Sequence, residues 1–145
     1  MLRLILCTFF FAGFCQAISP DDMAKMREKM MQVAETCVKE TGAGPNDLQP
    51  LREKQPPNSK EGKCFMFCMH RIIGFQDESG KMNPPAIYNW VESLVPLDAD
   101  YANKMKDVAK HCIETVNDSG DKCEAASDIY VCYTEGCKTA GIDMP

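Results

Sequence analysis

The chain has 145 residues, enough for one domain, and its 45% hydrophobic and 26% charged content argues against disorder. Sixteen Lys and Arg stand against 21 Asp and Glu, a formal net charge of −5. This acidic balance excludes the basic surfaces that bind nucleic acid or anionic membranes, so we expect no nucleic acid partner.

The amino terminus has the pattern of a secretory signal peptide. Arg3 supplies a positive charge, residues 4–14 form an uncharged, mostly apolar run, and residues 15–17 offer small side chains at the cleavage positions. The run is shorter than the ~20 apolar residues that span a membrane, so we expect cleavage after residue 17 and no membrane insertion. In an oxidising compartment, cysteines form disulfides in preference to metal sites. Seven cysteines remain after cleavage: Cys37, Cys64, Cys68, Cys112, Cys123, Cys132 and Cys137.

Glycine and proline residues, which interrupt helices, divide residues 18–145 into several predicted helices. Ser19 is a candidate N-cap before Pro20, and Gly42 to Pro45 would stop the first helix. A short second helix is predicted over 46–54. The apolar stripe of the first helix recurs at three- and four-residue steps, as expected for one helix face: Met23, Met26, Met30, Val33 and Cys37.

Four further helices follow. Residues 63–75 are apolar on most sides, which is typical of a central helix. Asn83 is a candidate cap for the fourth helix, Leu97-Asp98 opens an amphipathic fifth, and the sixth is predicted over 122–136. No segment of useful length alternates with period two, so the predicted fold class is all-α.

The cysteine spacings predict bridges between helices. Cys64 and Cys68, four apart on a helix, have Cβ atoms about 5–6 Å apart, whereas a disulfide needs about 3.5–4.5 Å. Each is therefore expected to bond to a different neighbour. Cys123 and Cys132 project from opposite sides of the sixth helix, which can then be linked to two others. Three interhelix disulfides, each worth ~2–4 kcal/mol, are expected, and spacing alone leaves their pairing open.

Six of these cysteines carry a resemblance to a known family. The pattern Cys37-x26-Cys64-x3-Cys68-x43-Cys112-x10-Cys123-x8-Cys132 resembles the signature of insect odorant-binding proteins, in which the x3 and x8 spacings are the specific parts. The Asp77-x-x-Gly80 turn, followed by prolines and an aromatic-bearing helix, is also similar. The resemblance covers residues 18–145 almost entirely. It implies six disulfide-stapled helices around an apolar cavity, with pairings Cys37–Cys68, Cys64–Cys123 and Cys112–Cys132.

Cys137 departs from that signature as a seventh cysteine. It could form an intermolecular bridge, exchange with its neighbours or pack as a buried thiol. We expect the buried thiol, because it lies on the same side of the sixth helix as Tyr130 and Tyr133 and free cysteines are usually buried.

The inward faces of the helices supply candidates for lining a cavity. Without the resemblance these faces would indicate a solid core; with it, most of them are expected to touch a ligand. His70, Tyr130 and Tyr133 could hydrogen-bond a ligand oxygen, although a satisfied core or surface histidine is an equal alternative for His70. His70 and His111 would titrate between pH 5 and 8. The predicted ligand-binding residues are Met66, His70, Ile73, Trp90, Met105, Ala109, Ile129 and Tyr133.

The resemblance implies a secreted carrier without cofactor or catalytic activity. It would bind small apolar odorants or pheromones in the fluid around chemosensory neurons and deliver them to membrane olfactory receptors, as a monomer or weak homodimer. The alternatives are a non-olfactory extracellular carrier, or a secreted helical signalling or interaction protein with a solid core. No phosphate loop, nucleophile elbow or calcium loop is present in the sequence, and secretion disfavours a zinc site.

Overall fold

The structure, a computed structural model, describes residues 20–117 and 119–142. Within these ranges the only strand-like pairing is a single bridge between Gln76 and Met82, so the all-α prediction is confirmed. The predicted signal peptide and the Ser19 cap lie outside the described residues. No described helix is long and apolar enough to cross a membrane. The helices are α1 (Pro20–Thr41), α2 (Pro45–Arg52), α3 (Lys60–Ile72), α4 (Pro84–Leu94), α5 (Ala99–Thr115) and α6 (Lys122–Thr139).

Helix α3 begins and ends about one turn before the predicted span of 63–75. The Ser59 side chain accepts a hydrogen bond from the Gly62 amide at 3.1 Å and so caps the helix three residues early. At the other end Gly74 has φ +85°, a left-handed conformation that a helix cannot continue through. The prediction followed the apolar run and missed the polar first turn.

Helix α6 extends three residues beyond its predicted end at Gly136. Gly136 continues the helix and allows close packing: a Cβ at this position would lie 2.7 Å from Val108 Cγ1 on α5. The absent side chain therefore lets α5 and α6 approach closely. The predicted cap of α4 is confirmed, since Asn83 accepts from the Ala86 amide. Helix α5 begins at the predicted Leu97-Asp98 position, where Asp98 accepts from the Tyr101 amide.

The helices pack in an open arc. Helix α1 packs on α3, α3 on α6, α6 on α5 and α5 on α4, while α2 packs on α3. No Cα atom of α4 or α5 lies within 8 Å of a Cα atom of α1 or α3. The two ends of the arc are therefore not joined by direct backbone packing.

Most buried apolar side chains belong to two separate clusters, while four others on α3 and α6 belong to neither: Phe67, Ala125, Ala126 and Ile129. The amino-terminal cluster lies on α1 and α3 and consists of Cys37, Ala43, Phe65 and Cys68, with side chains such as Met66 and Leu48 packed against it. Single domains usually have one contiguous core, so this division is unusual for a chain of this size. The carboxy-terminal cluster lies on α4, α5 and the end of the described chain: Ile87, Val91, Leu94, Ala102, Met105, Val108, Ala109, Cys112, Cys137 and Ile142.

Three disulfides hold the arc together, with the pairings that the resemblance implied. Cys37–Cys68 joins α1 to α3, Cys64–Cys123 joins α3 to α6, and Cys112–Cys132 joins α5 to α6. Helix α3 is thus bonded to two different helices, as expected from the spacing of its cysteines.

Ion pairs stand beside two of these disulfides. Lys63 Nζ lies 2.8 Å from Glu124 Oε2, next to Cys64–Cys123. Arg71 Nη2 lies 2.8 Å from Glu40 Oε2, one turn beyond Cys37–Cys68. Both ion pairs are partly exposed, and such pairs contribute at most about 1 kcal/mol to the unfolding free energy. Each neighbouring disulfide therefore stabilises the fold more than the ion pair beside it does.

Removing the α3–α6 bridge should therefore cost far more stability than removing its ion pair. The Cys64→Ala, Cys123→Ala double variant opens a loop with a sequence separation of 59. In the chain-entropy picture it should lose about 4 kcal/mol of unfolding free energy, against less than about 1 kcal/mol for Glu124→Gln. Urea titrations of the three proteins measure both losses. Equal losses would contradict this ranking.

Candidate ligand-binding site

Four of the predicted ligand-binding residues meet in or against the carboxy-terminal cluster. Met105 and Ala109, one turn apart on α5, are 5% and 0% exposed. Trp90 and Tyr133 pack against that cluster from α4 and α6. The Trp90 ring makes an edge-to-face contact with Phe75, with centroids 5.5 Å apart. Together they form a mostly apolar patch of three aromatic rings and one thioether, side chains of the kind that contact apolar ligands.

The hydroxyl of Tyr133 is buried and has no hydrogen-bond partner among the described residues. Leaving such a group unpaired costs about 1–3 kcal/mol, so its position calls for an explanation. Burial raises the pKa of Tyr133, and the nearby Tyr88 and Cys137 raise it further. The phenol is therefore neutral and carries a proton that it can donate to an acceptor.

Cys137 is a buried free thiol, which confirms the expectation for the seventh cysteine. Its Sγ lies 3.7 Å from Met105 Sδ, inside the carboxy-terminal cluster. Burial raises the pKa of this thiol, so it stays protonated and unreactive at neutral pH.

His70 is buried within a hydrogen-bonded network. Its Nδ1 lies 2.8 Å from Gln76 Oε1, and Gln76 Nε2 donates to the Gly80 carbonyl at 2.6 Å. His70 and Gln76 are 8% and 2% exposed. Burial lowers the pKa of His70, outweighing the Gln76 contact that raises it. The structure therefore shows that His70 is hydrogen-bonded within the α3–α4 connection, and its contact with a ligand stays a prediction.

The other three predicted residues lie apart from this group. Met66 packs against the amino-terminal cluster. Ile129 on α6 is 3% exposed and borders a surface cleft of about 300 Å³. Ile73, in the C-cap position of α3, is 36% exposed. Contact of these three residues with a ligand stays a prediction.

Sequence reasoning did not single out Phe75 or Tyr88. Phe75 follows the end of α3 and reaches Trp90 only because Gly74 turns the chain. Tyr88 is on α4, near the Tyr133 hydroxyl. Neither has a spacing signal, since both contacts depend on the tertiary arrangement of α3, α4 and α6.

Two clefts bordered by described residues open at the surface. One, of about 500 Å³, is bordered by Cys137, Ile142 and the 54–56 connection. Another, of about 690 Å³, runs between α5 and α6 and includes Val108 and Val131. No group of three or more His, Cys, Asp or Glu side chains positioned to hold a metal ion occurs among the described residues.

Comparison with known proteins gives a consistent match. Residues 19–136 match the PBP/GOBP family. General odorant-binding protein 28a of Drosophila melanogaster is 32% identical over 115 residues, covering 79% of each chain. General odorant-binding protein 19d of the same species is 29% identical over 118 residues, covering 81% of this chain and 78% of that protein.

Solved structures extend the match to the fold. The odorant-binding protein OBP28a of Drosophila superposes with a TM-score of 0.72 at 29% identity, over 84% of this chain and 100% of that one. Odorant Binding Protein 7 of Anopheles gambiae, in complex with an azo compound, gives 0.62 at 20% identity, over 81% and 90%. The fatty acid binding protein OBP56a of the blowfly Phormia regina gives 0.61 at 22% identity, over 79% and 94%.

The buried state of His70 predicts a pH dependence of stability. Its pKa is lowered in the fold from the ordinary 6.5, so the unfolded chain binds the proton more readily. Stability is fully present above that value, and the unfolding free energy should fall as pH drops through it towards the folded pKa.

Denaturant titrations at pH 7.5 and 5.0 on the wild type and His70→Asn measure this contribution. Asn keeps a donor near Gln76 but does not titrate, so the variant should show a smaller decline than the wild type. His111→Asn, at an exposed position, is the matched control and should retain the wild-type decline. Parallel profiles for the wild type and His70→Asn would refute the assignment.

Proposed function

The chain belongs to the PBP/GOBP family, and from that premise we propose that it is a secreted carrier that holds small apolar molecules non-covalently between its two apolar clusters. Family and fold support the binding of small hydrophobic ligands. The proposal adds the location of the ligand, the groups that contact it and the biological setting.

The proposed position of the ligand rests on one observation: the helices form an open arc that bears two separate apolar clusters. Helices α1 and α3 bear one apolar cluster and α4 and α5 the other, with no direct backbone packing between the two pairs. We call the region between these clusters the central space. A ligand there would contact Met105, Ala109 and Trp90, which line its carboxy-terminal side in this proposal. Burying its apolar surface would contribute about 25 cal/mol per Å².

The Tyr133 hydroxyl supports a preference for ligands with an acceptor oxygen. It is buried, protonated and unpaired among the described residues. An alcohol, aldehyde or ester oxygen in the central space would accept its hydrogen bond and remove the cost of leaving it unsatisfied.

The proposed biological setting is inferred from the proteins that this chain resembles. Those named above are odorant-binding proteins, and the blowfly structure is a fatty acid binding protein. We propose that this chain carries odorants or pheromone-like molecules in an extracellular fluid such as sensillar lymph and delivers them to olfactory receptors, without catalysing a reaction. Carriage of other apolar molecules outside olfaction is the second candidate. Localisation of the protein in antennae against other tissues separates the two.

Displacement of a fluorescent apolar probe tests binding and the role of Tyr133 together. Straight-chain alcohols, aldehydes and esters should displace the probe at micromolar concentrations. Tyr133→Phe should weaken these ligands about 3- to 10-fold, the value of one hydrogen bond of about 0.5–1.5 kcal/mol, and leave alkanes of equal length unaffected.

Tyr130→Phe on the same helix is the matched control, because Tyr130 is partly buried but not packed against the carboxy-terminal cluster. It should bind like the wild type. Failure of every compound to displace the probe at tens of micromolar would overturn the carrier proposal. Equal losses for alcohols and alkanes in Tyr133→Phe would overturn only the hydrogen bond.

A further inference from the structure

One sequence motif has no role in the proposed carrier. Asn117-Asp118-Ser119 is the one Asn-x-Ser/Thr tripeptide of the 145-residue chain, and such tripeptides accept N-linked glycans in secreted proteins. A motif of three residues often occurs by chance. Its use therefore requires that the fold leave the asparagine side chain accessible and able to bear a bulky group.

Asn117 is exposed and lies outside the helices. Helix α5 ends at Thr115, and the Val116 amide donates the last helical hydrogen bond to the Cys112 carbonyl at 3.0 Å. Val116 has φ −74° and ψ 117°, extended values at which the chain leaves the helix. The Asn117 side chain makes no hydrogen bond with another described residue. Its amide nitrogen can therefore bear a glycan without breaking a helix or losing a contact.

Asn117 also borders an apolar cleft that opens at the surface. The cleft has a volume of about 300 Å³ and lies between the 80–84 connection, the end of α5 and the first half of α6. Because Asn117 is part of its border, a sugar attached to this side chain would reach the cleft wall, and covering apolar surface is favourable. Most of that wall is apolar: Met82, Pro84, Ile113, Val116, Ala125 and Ile129.

We propose that Asn117 carries an N-linked glycan whose first sugar packs over this cleft. In the transfer, a bond forms between Asn117 Nδ2 and C1 of N-acetylglucosamine, while the bond from C1 to a lipid pyrophosphate donor breaks. Nδ2 loses one proton and the lipid pyrophosphate leaves. The inference rests on the secretion that is part of the proposed function, because the donor and its transferase belong to the secretory pathway. It does not rest on ligand binding.

The intact mass of the protein that insect cells secrete from its own signal peptide tests the attachment. The wild type should exceed the mass of the mature chain by one N-glycan, and a peptide-N-glycosidase should remove this excess and leave Asp at position 117. Asn117→Gln and Ser119→Ala should both be secreted without the excess, whereas Ser119→Thr preserves the motif and should keep it. Asn103→Gln, at an exposed position outside the motif, is the matched control and should also keep it.

Two negative results separate this inference from the proposed function. Wild-type protein in the medium without the excess mass would overturn the glycan and leave the carrier proposal standing. Wild-type protein retained inside the cells without a glycan would overturn the glycan and secretion together. An excess mass that persists in Asn117→Gln would also overturn the inference, because the glycan would then be attached elsewhere.

Thermal unfolding of the secreted wild type before and after enzymatic release of the glycan tests the packing. Release should lower the unfolding midpoint by about 2–4 °C, the shift that one modest contact produces in a domain of roughly 150 residues. Asn117→Asp, which never carries the glycan, is the control for the charge left by the enzyme and should match the released protein. In Val116→Thr, a change of similar shape that makes the cleft wall more polar, the loss on release should be smaller. Equal midpoints before and after release of the wild-type glycan would overturn the packing.

Discussion

The fold depends on three disulfides that link its helices. They tie α1 to α3, α3 to α6 and α6 to α5, and these are three of the contacts that form the arc. A disulfide stabilises mainly by reducing the freedom of the unfolded chain, so it needs no filled core beside it. That is why two modest apolar clusters can suffice where a chain without bridges would need one contiguous core.

The buried polar groups of this protein are of two kinds, hydrogen-bonded and without a partner among the described residues. His70 and Gln76 satisfy each other and fix the connection between α3 and α4, which is a structural role. The Tyr133 hydroxyl is buried and has no hydrogen-bond partner in the part of the chain that the structure describes, and Tyr88 and Cys137 lie near it. If the protein binds a ligand as proposed, His70 and Gln76 stabilise the surrounding structure, and the Tyr133 hydroxyl is free to donate a hydrogen bond to an acceptor atom of the ligand.

Local signals predicted most of this fold. The number of helices, the cap at Asn83, and the separate partners of Cys64 and Cys68 follow from spacing and capping chemistry alone. The disulfide pairing needed the family resemblance. The site was harder, because Ile73 depended on the exact end of α3, and Phe75 and Tyr88 meet their partners only through tertiary packing. A helical stripe shows which residues face inward, but not whether they meet a ligand or each other.

The central claim is that the region between the two clusters holds a guest rather than side chains. Diffraction from a crystal of the ligand-free protein under xenon pressure tests it directly, because xenon occupies dry apolar cavities. The account predicts ordered xenon between α3 and α5, in contact with Met105 and Trp90. Xenon confined to the surface clefts, with side chains in van der Waals contact across the centre, would contradict it.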